Sequence, residues 1–247
     1  MTASPTPVGF TVLPWDSELF GFPVAVIQAE FIHADRWLSV QGALRAEGVR
    51  LAYASVAWTD TLACDSLRAR GARQVDCKRR YRKPLTTECL MPDGLEGVRG
   101  RPCSADFESL ALASGEYSRF RTDPKVPRGV FQNLYKIWIR RSLSGEIANT
   151  VLALFEGQDL AGMITVAASG QTGVIGLVAV AAEHRGRGFG RRLVQGAEAW
   201  CAAQGLQTLE VVTQGQNVPA RALYAASGFS CATEEAVFHL WLEPGAR

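Results

Sequence analysis

Gly173-Val174-Ile175-Gly176-Leu177-Val178-Ala179-Val180, followed after two alanines by Glu183-His184-Arg185-Gly186-Arg187-Gly188-Phe189-Gly190, decides the reading of this chain. The first segment is apolar at odd and even positions alike, as a strand buried on both faces is. Beyond the second, Phe189, Leu193, Ala197 and Trp200 recur every three to four residues, which predicts a helix with one apolar stripe. Strand, glycine turn and helix in that order point several backbone N–H groups one way at a helix N-terminus and surround them with arginines. That is an anion site, and the ligand expected is a phosphate-bearing cofactor. Gly186, Gly188 and Gly190 let the chain turn tightly and let a ligand approach where a Cβ would collide. The alternative is a surface turn that happens to be rich in glycine and arginine. No Gly-Lys-Ser/Thr follows, so this is not a Walker A loop, and the glycine spacing is not that of a Rossmann fingerprint.

Downstream, Thr208-Leu209-Glu210-Val211-Val212-Thr213 reads as another strand. The run from Asn217 to Phe229 reads as a short helix with Asn217 as N-cap, Pro219 early and Gly228 as C-cap. Seven helical residues make roughly two turns and rise about 10 Å, so Asn217 and Tyr224 share a face and both can follow one extended ligand. A core tyrosine with its hydroxyl tied to the backbone is the other reading of Tyr224.

Arg185-x-x-Gly188-x-Gly190, behind an apolar strand and opening a helix, resembles the coenzyme A motif of the GNAT acyltransferase superfamily. The resemblance implies an α/β (α+β) fold: a mixed, mostly antiparallel sheet, flanked by helices and splayed beside this loop, with acetyl-CoA held in the splay. It implies a cofactor site made by Leu177, Val178, Ala179 and Val180 on the strand and by Arg185, Gly186, Arg187, Gly188, Phe189, Gly190 and Arg191 in the loop, with Asn217 on the pantetheine arm and Tyr224 near the sulfur. Trp15-Asp16-Ser17-Glu18-Leu19-Phe20-Gly21-Phe22, Ser118-Arg119-Phe120-Arg121 and Phe238-His239-Leu240-Trp241 narrow the match. They look like the dTDP-fucosamine acetyltransferase group, which acylates nucleotide-linked amino sugars. The tail before Trp15 and the basic stretch from Lys78 to Lys83 have no place in that pattern and leave the sugar open.

Such an activity would bring a neutral amine to near-contact with a thioester carbonyl and stabilise the charge that grows on its oxygen. In the resembling enzymes a backbone N–H of the splayed strand does the latter, which maps to Leu177 through Val180. A phenol of pKa about 10 can give a proton to a thiolate whose conjugate acid lies near 8.5, and Tyr224 is the candidate acid. A carboxylate of the N-terminal lobe collects the amine's proton in those relatives, and Asp76 falls at that position; an exposed strand aspartate balancing arginines is the equal alternative. Tyr117, Ser118, Arg119, Phe120 and Arg121 alternate rings with guanidinium forks suited to a diphosphate, a base or a sugar ring. A solvated basic loop would look the same. Lys78-Arg79-Arg80-Tyr81-Arg82-Lys83 could serve similarly, but strand alternation sends its charges to both faces, and it reads rather as solvated edge protection on a strand.

Length and composition fit one large domain or two small ones, with 247 residues, 47% of them hydrophobic, and no sign of disorder after the first eight. A net charge of +2 gives no basic face for nucleic acid. No apolar run has the roughly 18 to 20 residues of a membrane span, and the N-terminus lacks the regions of a signal peptide, so a cytoplasmic location is expected. Six cysteines without a Cys-x-x-Cys pair, and histidines far apart at 33, 184 and 239, argue against a metal and for reduced, mostly buried thiols.

A Pro- and Gly-rich stretch from Pro84 to Arg101 divides a smaller N-terminal α/β lobe, residues 1–90, from an acetyltransferase domain, residues 96–247. Strands are predicted near 10–14, 24–28, 50–57, 73–83 and 97–102, with helices near 34–47 and 60–70 and Gly48 and Gly71 closing them. A helix capped by Ser104, a helix from Pro127 to Leu143 and a hairpin at 150–156 and 160–168 precede the cofactor elements. The function expected is acetyl transfer to the amine of a dTDP-linked amino-dideoxy sugar, with no metal. Amino acids, antibiotics or protein N-termini are the alternative acceptors, and an extra lobe beside a sheet edge is compatible with a homodimer.

Overall fold

The computed structural model describes residues 9–32, 34–86 and 89–243, the side chains of residues 34 and 35 excepted. The first eight residues, His33, and Thr87 and Glu88 of the expected dividing stretch lie outside the described residues. In chain order the elements are β1 (Phe10–Val12), α1 (Pro14–Phe20), β2 (Val24–Ile27), α2 (Ala34–Ala46), β3 (Leu51–Ala57), α3 (Thr61–Ala69), β4 (Arg73–Pro84), β5 (Leu95–Gly97) and α4 (Ala105–Ser114). There follow α5 (Arg119–Thr122), α6 (Arg128–Ser144), β6 (Thr150–Glu156), β7 (Asp159–Ser169), β8 (Thr172–Val180), α7 (Phe189–Ala203), β9 (Thr208–Gln214), α8 (Val218–Ala226) and β10 (Ser230–Trp241).

Two predicted strands are shorter or displaced, for local reasons. The strand expected near 10–14 stops at Val12, because Pro14 opens α1 with its fixed φ and missing N–H at the start of a helix. The one expected at 97–102 lies earlier, at Leu95–Gly97; Gly100, at φ 89°, then turns the chain so that its N–H reaches the Leu143 carbonyl at 2.7 Å. Inside the Ser118 loop the chain makes a single helical turn, α5, that its sequence did not announce.

Contacts divide the chain into two compact units. One contains the described residues up to Lys78 together with Thr122–Val130 and those from Glu234 onward; the other contains Arg79–Arg121 and Phe131–Thr233. The boundaries fall inside β4 and inside β10. In the first unit the strand order is β1-β2-β3-β10, with β2 and β3 parallel and the other pairs antiparallel. Its core gathers Ile27, Trp37, Leu44, Ala54, Leu67 and Phe238. Asp60 caps α3 by accepting the Ala63 N–H at 3.0 Å, one of the donors a helix start leaves without an intrahelical partner.

In the second unit the order is β4-β9-β8-β7-β6-β5. The β5/β6, β6/β7 and β7/β8 pairs are antiparallel, and β8/β9 is parallel. The sheets are thus mixed and mostly antiparallel, as expected. Leu193, Val194, Ala197 and Cys201 form the apolar stripe of α7 and pack with Leu152, Ile164 and Val211.

One irregularity positions everything that follows. Ile164 faces Val178 while Val166 faces Ile175, so β8 carries an extra residue opposite Thr165, a β-bulge. Thr165 Oγ1 accepts the Leu177 N–H at 2.9 Å and satisfies the donor that the bulge takes out of the ladder. A Cβ at Gly176 would come within 2.9 Å of that same oxygen, so only glycine fits the bulge as it stands. Parallel pairing of β8 with β9 ends at Ile175 and Val211, although the strands continue to Val180 and Gln214. The two strands therefore part, and the last five residues of β8 have no strand partner on the β9 side.

Candidate active site

The parting of β8 and β9 opens a groove of about 240 Å³. Val178, Ala179 and Val180 form one wall; Asn217, Pro219, Ala220 and Leu223 of α8 and its cap form another. Gly190 and Arg185 close the loop end, and Glu116 and Tyr117 stand beyond α4. The groove thus brings together seven of the residues singled out from the sequence: Tyr117, Val178, Ala179, Val180, Arg185, Gly190 and Asn217. Leu177 is buried beneath it, its N–H spent on Thr165.

The glycine loop has the conformation its composition demands. Gly186 (φ 74°) and Gly188 (φ 82°) are left-handed, and Gly188 is the N-cap of α7, so a side chain there would be strained. The first N–H groups of α7 have no intrahelical acceptor, which leaves partial positive charge at its start. Arg185 adds the one cationic side chain among the residues lining the groove, held by its Nε donating to the Val180 carbonyl at 3.2 Å. Arg187 is engaged elsewhere, in an ion pair with Glu156, and its guanidinium lies 5.2 Å from the centre of the Phe189 ring. Arg191 is exposed on the first turn of α7.

Asn217 is the N-cap of α8: its Oδ1 accepts the Ala220 N–H at 3.1 Å, Pro219 stands in the first turn, and Gly228 follows the helix at φ 84°. Tyr224, two turns along, is buried to 2% exposure against Tyr81 and Phe229, with ring centres 5.9 and 5.7 Å away. It is not among the groove's lining residues. Burial alone pushes its phenol well above the ordinary tyrosine range, so the hydroxyl keeps its proton at any working pH. Asp76 lies half-buried on β4, in the part belonging to the first unit, and does not line the groove either.

Of the predicted acceptor residues only Tyr117 faces the groove. Ser118 is buried, its N–H donating to the Gly115 carbonyl at 2.9 Å and its Oγ accepting the Phe120 N–H at 3.3 Å. The Arg119 guanidinium lies over the Phe120 ring at 4.7 Å, and that of Arg121 over Phe131 at 5.4 Å.

The basic run on β4 corrects its expected role. Arg80 and Arg82 both donate to Glu210, a buried carboxylate on β9, and Lys83 donates to buried Glu198 on α7 at 2.7 Å. Burial raises the Glu210 pKa, but the two arginine hydrogen bonds outweigh it and hold the carboxyl below its usual range. The run therefore secures internal charges and is not edge protection. Glu210 inside an otherwise apolar strand was the signal for it, because a buried carboxylate requires a cation.

Two further residues escaped notice in the sequence. Glu116 is the single carboxylate among the residues lining the groove; it sits in a turn with no periodicity to single it out. Thr165 shapes the bulge, and its only sequence signal was Gly176 inside an apolar strand. Among the described residues no three His, Cys, Asp or Glu side chains gather as a metal site, and no helix is long and apolar enough to cross a membrane. All six thiols are unpaired, but only Cys64 and Cys201 are buried, fewer than expected.

Comparison with known proteins agrees with this geometry. Residues 115–229 match the model of the Acetyltransferase (GNAT) family. Spore coat polysaccharide biosynthesis protein SpsD of Bacillus subtilis is 26% identical over 145 residues, which cover 58% of this chain and 50% of that protein. The chain thus spans about half the length of the curated relative it matches. Among solved structures, a GCN5-related N-acetyltransferase from Sphaerobacter thermophilus superposes with a TM-score of 0.60 at 17% identity, over 96% of this chain and 77% of the other. One from Kribbella flavida gives 0.58 at 13%, over 96% and 88%. At these identities the structural likeness speaks for the fold.

Proposed function

Because the chain carries a GNAT-family N-acetyltransferase domain, we propose that its co-substrate is acetyl-CoA and its acceptor the amine of a nucleotide-linked amino-dideoxy sugar, carried on dTDP. The observation that carries the cofactor half is the parting of β8 from β9 beyond Ile175 and Val211 beside a glycine loop. The residues present fit a diphosphate. A Cβ built at Gly186 or Gly188 meets nothing within 4 Å, so there is open space over the loop. Arg185 and the α7 N-terminus supply charge of the right sign. For the sugar half, support comes from the ring-and-guanidinium run Tyr117–Arg121 and from the polysaccharide role in the name of the Bacillus relative.

When bound, the thioester supplies an acyl carbon activated toward a neutral amine. Val178, Ala179 and Val180 offer it an unpaired strand edge, whose N–H groups can donate to the carbonyl oxygen as charge grows there. Asn217 and the start of α8 line the path of the pantetheine arm. Tyr224 holds a proton at Oη for the departing sulfur, and Asp76 takes the amine's proton, through water. Arg185, Gly186, Gly188 and Gly190 hold the diphosphate, so reaction follows from alignment of two bound partners. The test is incubation of acetyl-CoA with a panel of dTDP-linked amino sugars, alongside free amino acids and aminoglycosides. Thiol release with a product heavier by one acetyl group, from the nucleotide sugars alone, is the expected result. Turnover confined to the other amines would sink the acceptor half and leave the cofactor half standing.

A further inference from the structure

We propose that Glu156 is a positioning residue for the diphosphate cradle, acting through Arg187 and His184; this rests on the acetyl-CoA reading above. Glu156 ends β6 at the tip of the β6–β7 hairpin. Its Oε2 accepts from Arg187 Nη1 at 2.6 Å and its Oε1 accepts from Arg187 Nη2, a two-pronged fork. The same Oε2 lies 2.8 Å from Nδ1 of buried His184. The His184 ring stacks on Phe189 with centres 5.8 Å apart, and Phe189 is the first residue of α7. One carboxylate therefore ties down positions 184 and 187, which flank Gly186, and through Phe189 the far side of Gly188.

A fork of this kind fixes the plane of the guanidinium as well as its place. Both partners are nearly half exposed, Arg187 at 49% and Glu156 at 41%, so as a surface ion pair it adds little to global stability. Restraint is another matter. The turn holds two left-handed glycines, the residues whose backbone is costliest to order, and its N–H groups form the cradle only when that turn is held still. The hydrogen bond from Arg187 is the largest influence on the Glu156 carboxyl and keeps it below its usual range, in accord with a pair made in the folded protein. Arg187 is not among the residues that line the groove. Arg185, which does line it, takes the part of diphosphate ligand.

The experiment is calorimetric titration of the full chain with coenzyme A and with pantetheine, which lacks the diphosphate, at concentrations that saturate the wild type. Glu156→Gln should weaken coenzyme A binding roughly tenfold, the equivalent of loosening one backbone residue. Arg187→Met should do the same, and the double variant should be no worse than either alone. Pantetheine affinity and the melting temperature should stay at wild-type values, whereas a general loosening of the fold would lower both. Should Glu156→Gln fold poorly, Glu156→Met, which also frees the Arg187 guanidinium, decides by the same criteria. Unchanged or tighter coenzyme A binding in Glu156→Gln overturns the proposal, since freeing Arg187 would then have supplied a ligand. A wild type that binds no coenzyme A overturns the acetyl-CoA reading itself.

Discussion

Asp123 Oδ2 sits 2.6 Å from His239 Nδ1, and both side chains are fully buried in the first unit. The same oxygen accepts the Trp241 indole N–H at 3.0 Å, while the Lys125 N–H donates to Oδ1 at 3.1 Å. Burial raises the aspartate's pKa, but the hydrogen bonds from His239, Trp241 and Lys125 more than offset it, bringing it down from 3.8 to about 2. A carboxylate depressed in this way contributes stability that is fully present above the unfolded value and is lost as pH falls through the folded one. We expect about 2 kcal/mol to disappear between roughly pH 4 and pH 2. Urea unfolding of wild type and Asp123→Asn across that window checks it. The variant should lose the acid dependence and be less stable at neutral pH by about 1 to 3 kcal/mol, because hydrogen bonds to a charged carboxylate are replaced by bonds to a neutral amide.

Tyr224→Phe keeps the ring that packs on Tyr81 and Phe229 and removes only Oη, so coenzyme A binding and melting temperature should be unchanged. Turnover should fall by about 10² to 10⁴, the usual contribution of a positioned acid. Because burial raises the phenol's pKa, the wild-type rate should show no basic limb due to this group. Thiol release under saturating substrates measures both, and full turnover in the variant removes Tyr224 from the mechanism.

Asp76 and Glu116 are competing candidates for collecting the amine's proton, one proposed from resemblance and one lining the groove. If Asp76 is the base, Asp76→Asn abolishes the acidic limb of the kcat/KM profile and Glu116→Gln leaves it in place. The reverse pattern transfers the role to Glu116.

Gly188 and Gly190 should separate strain from ligand clash. At Gly188 the left-handed backbone makes alanine cost about 1 to 2 kcal/mol of stability. A Cβ at Gly190 would meet Leu223 at an ordinary 3.4 Å and Val180 at 3.9 Å, so Gly190→Ala should melt like the wild type yet bind coenzyme A more weakly. Thermal unfolding and titration of both variants settle the matter, and equal binding by Gly190→Ala would mean that the ligand does not approach there.

Local chemistry made much of this protein legible in its sequence. An apolar run, a glycine turn with arginines and an apolar stripe at helical spacing were enough for β8, the loop and α7, since each is decided by residues adjacent in the chain. Asn217 as a cap and Pro219 in the first turn of α8 were readable for the same reason. What only the tertiary structure decided are relations between distant segments. The bulge in β8 depends on a hydroxyl from Thr165 on the neighbouring strand, and the burial of Tyr224 on Tyr81 from β4. Arg187 is occupied because the β6–β7 hairpin delivers Glu156, 31 positions away, to the glycine loop. Asp123 finds His239 across 116 positions. Periodicity and spacing report which face of an element is apolar; they carry no information about which charged group from elsewhere in the chain will meet it, because that is set by how the elements pack.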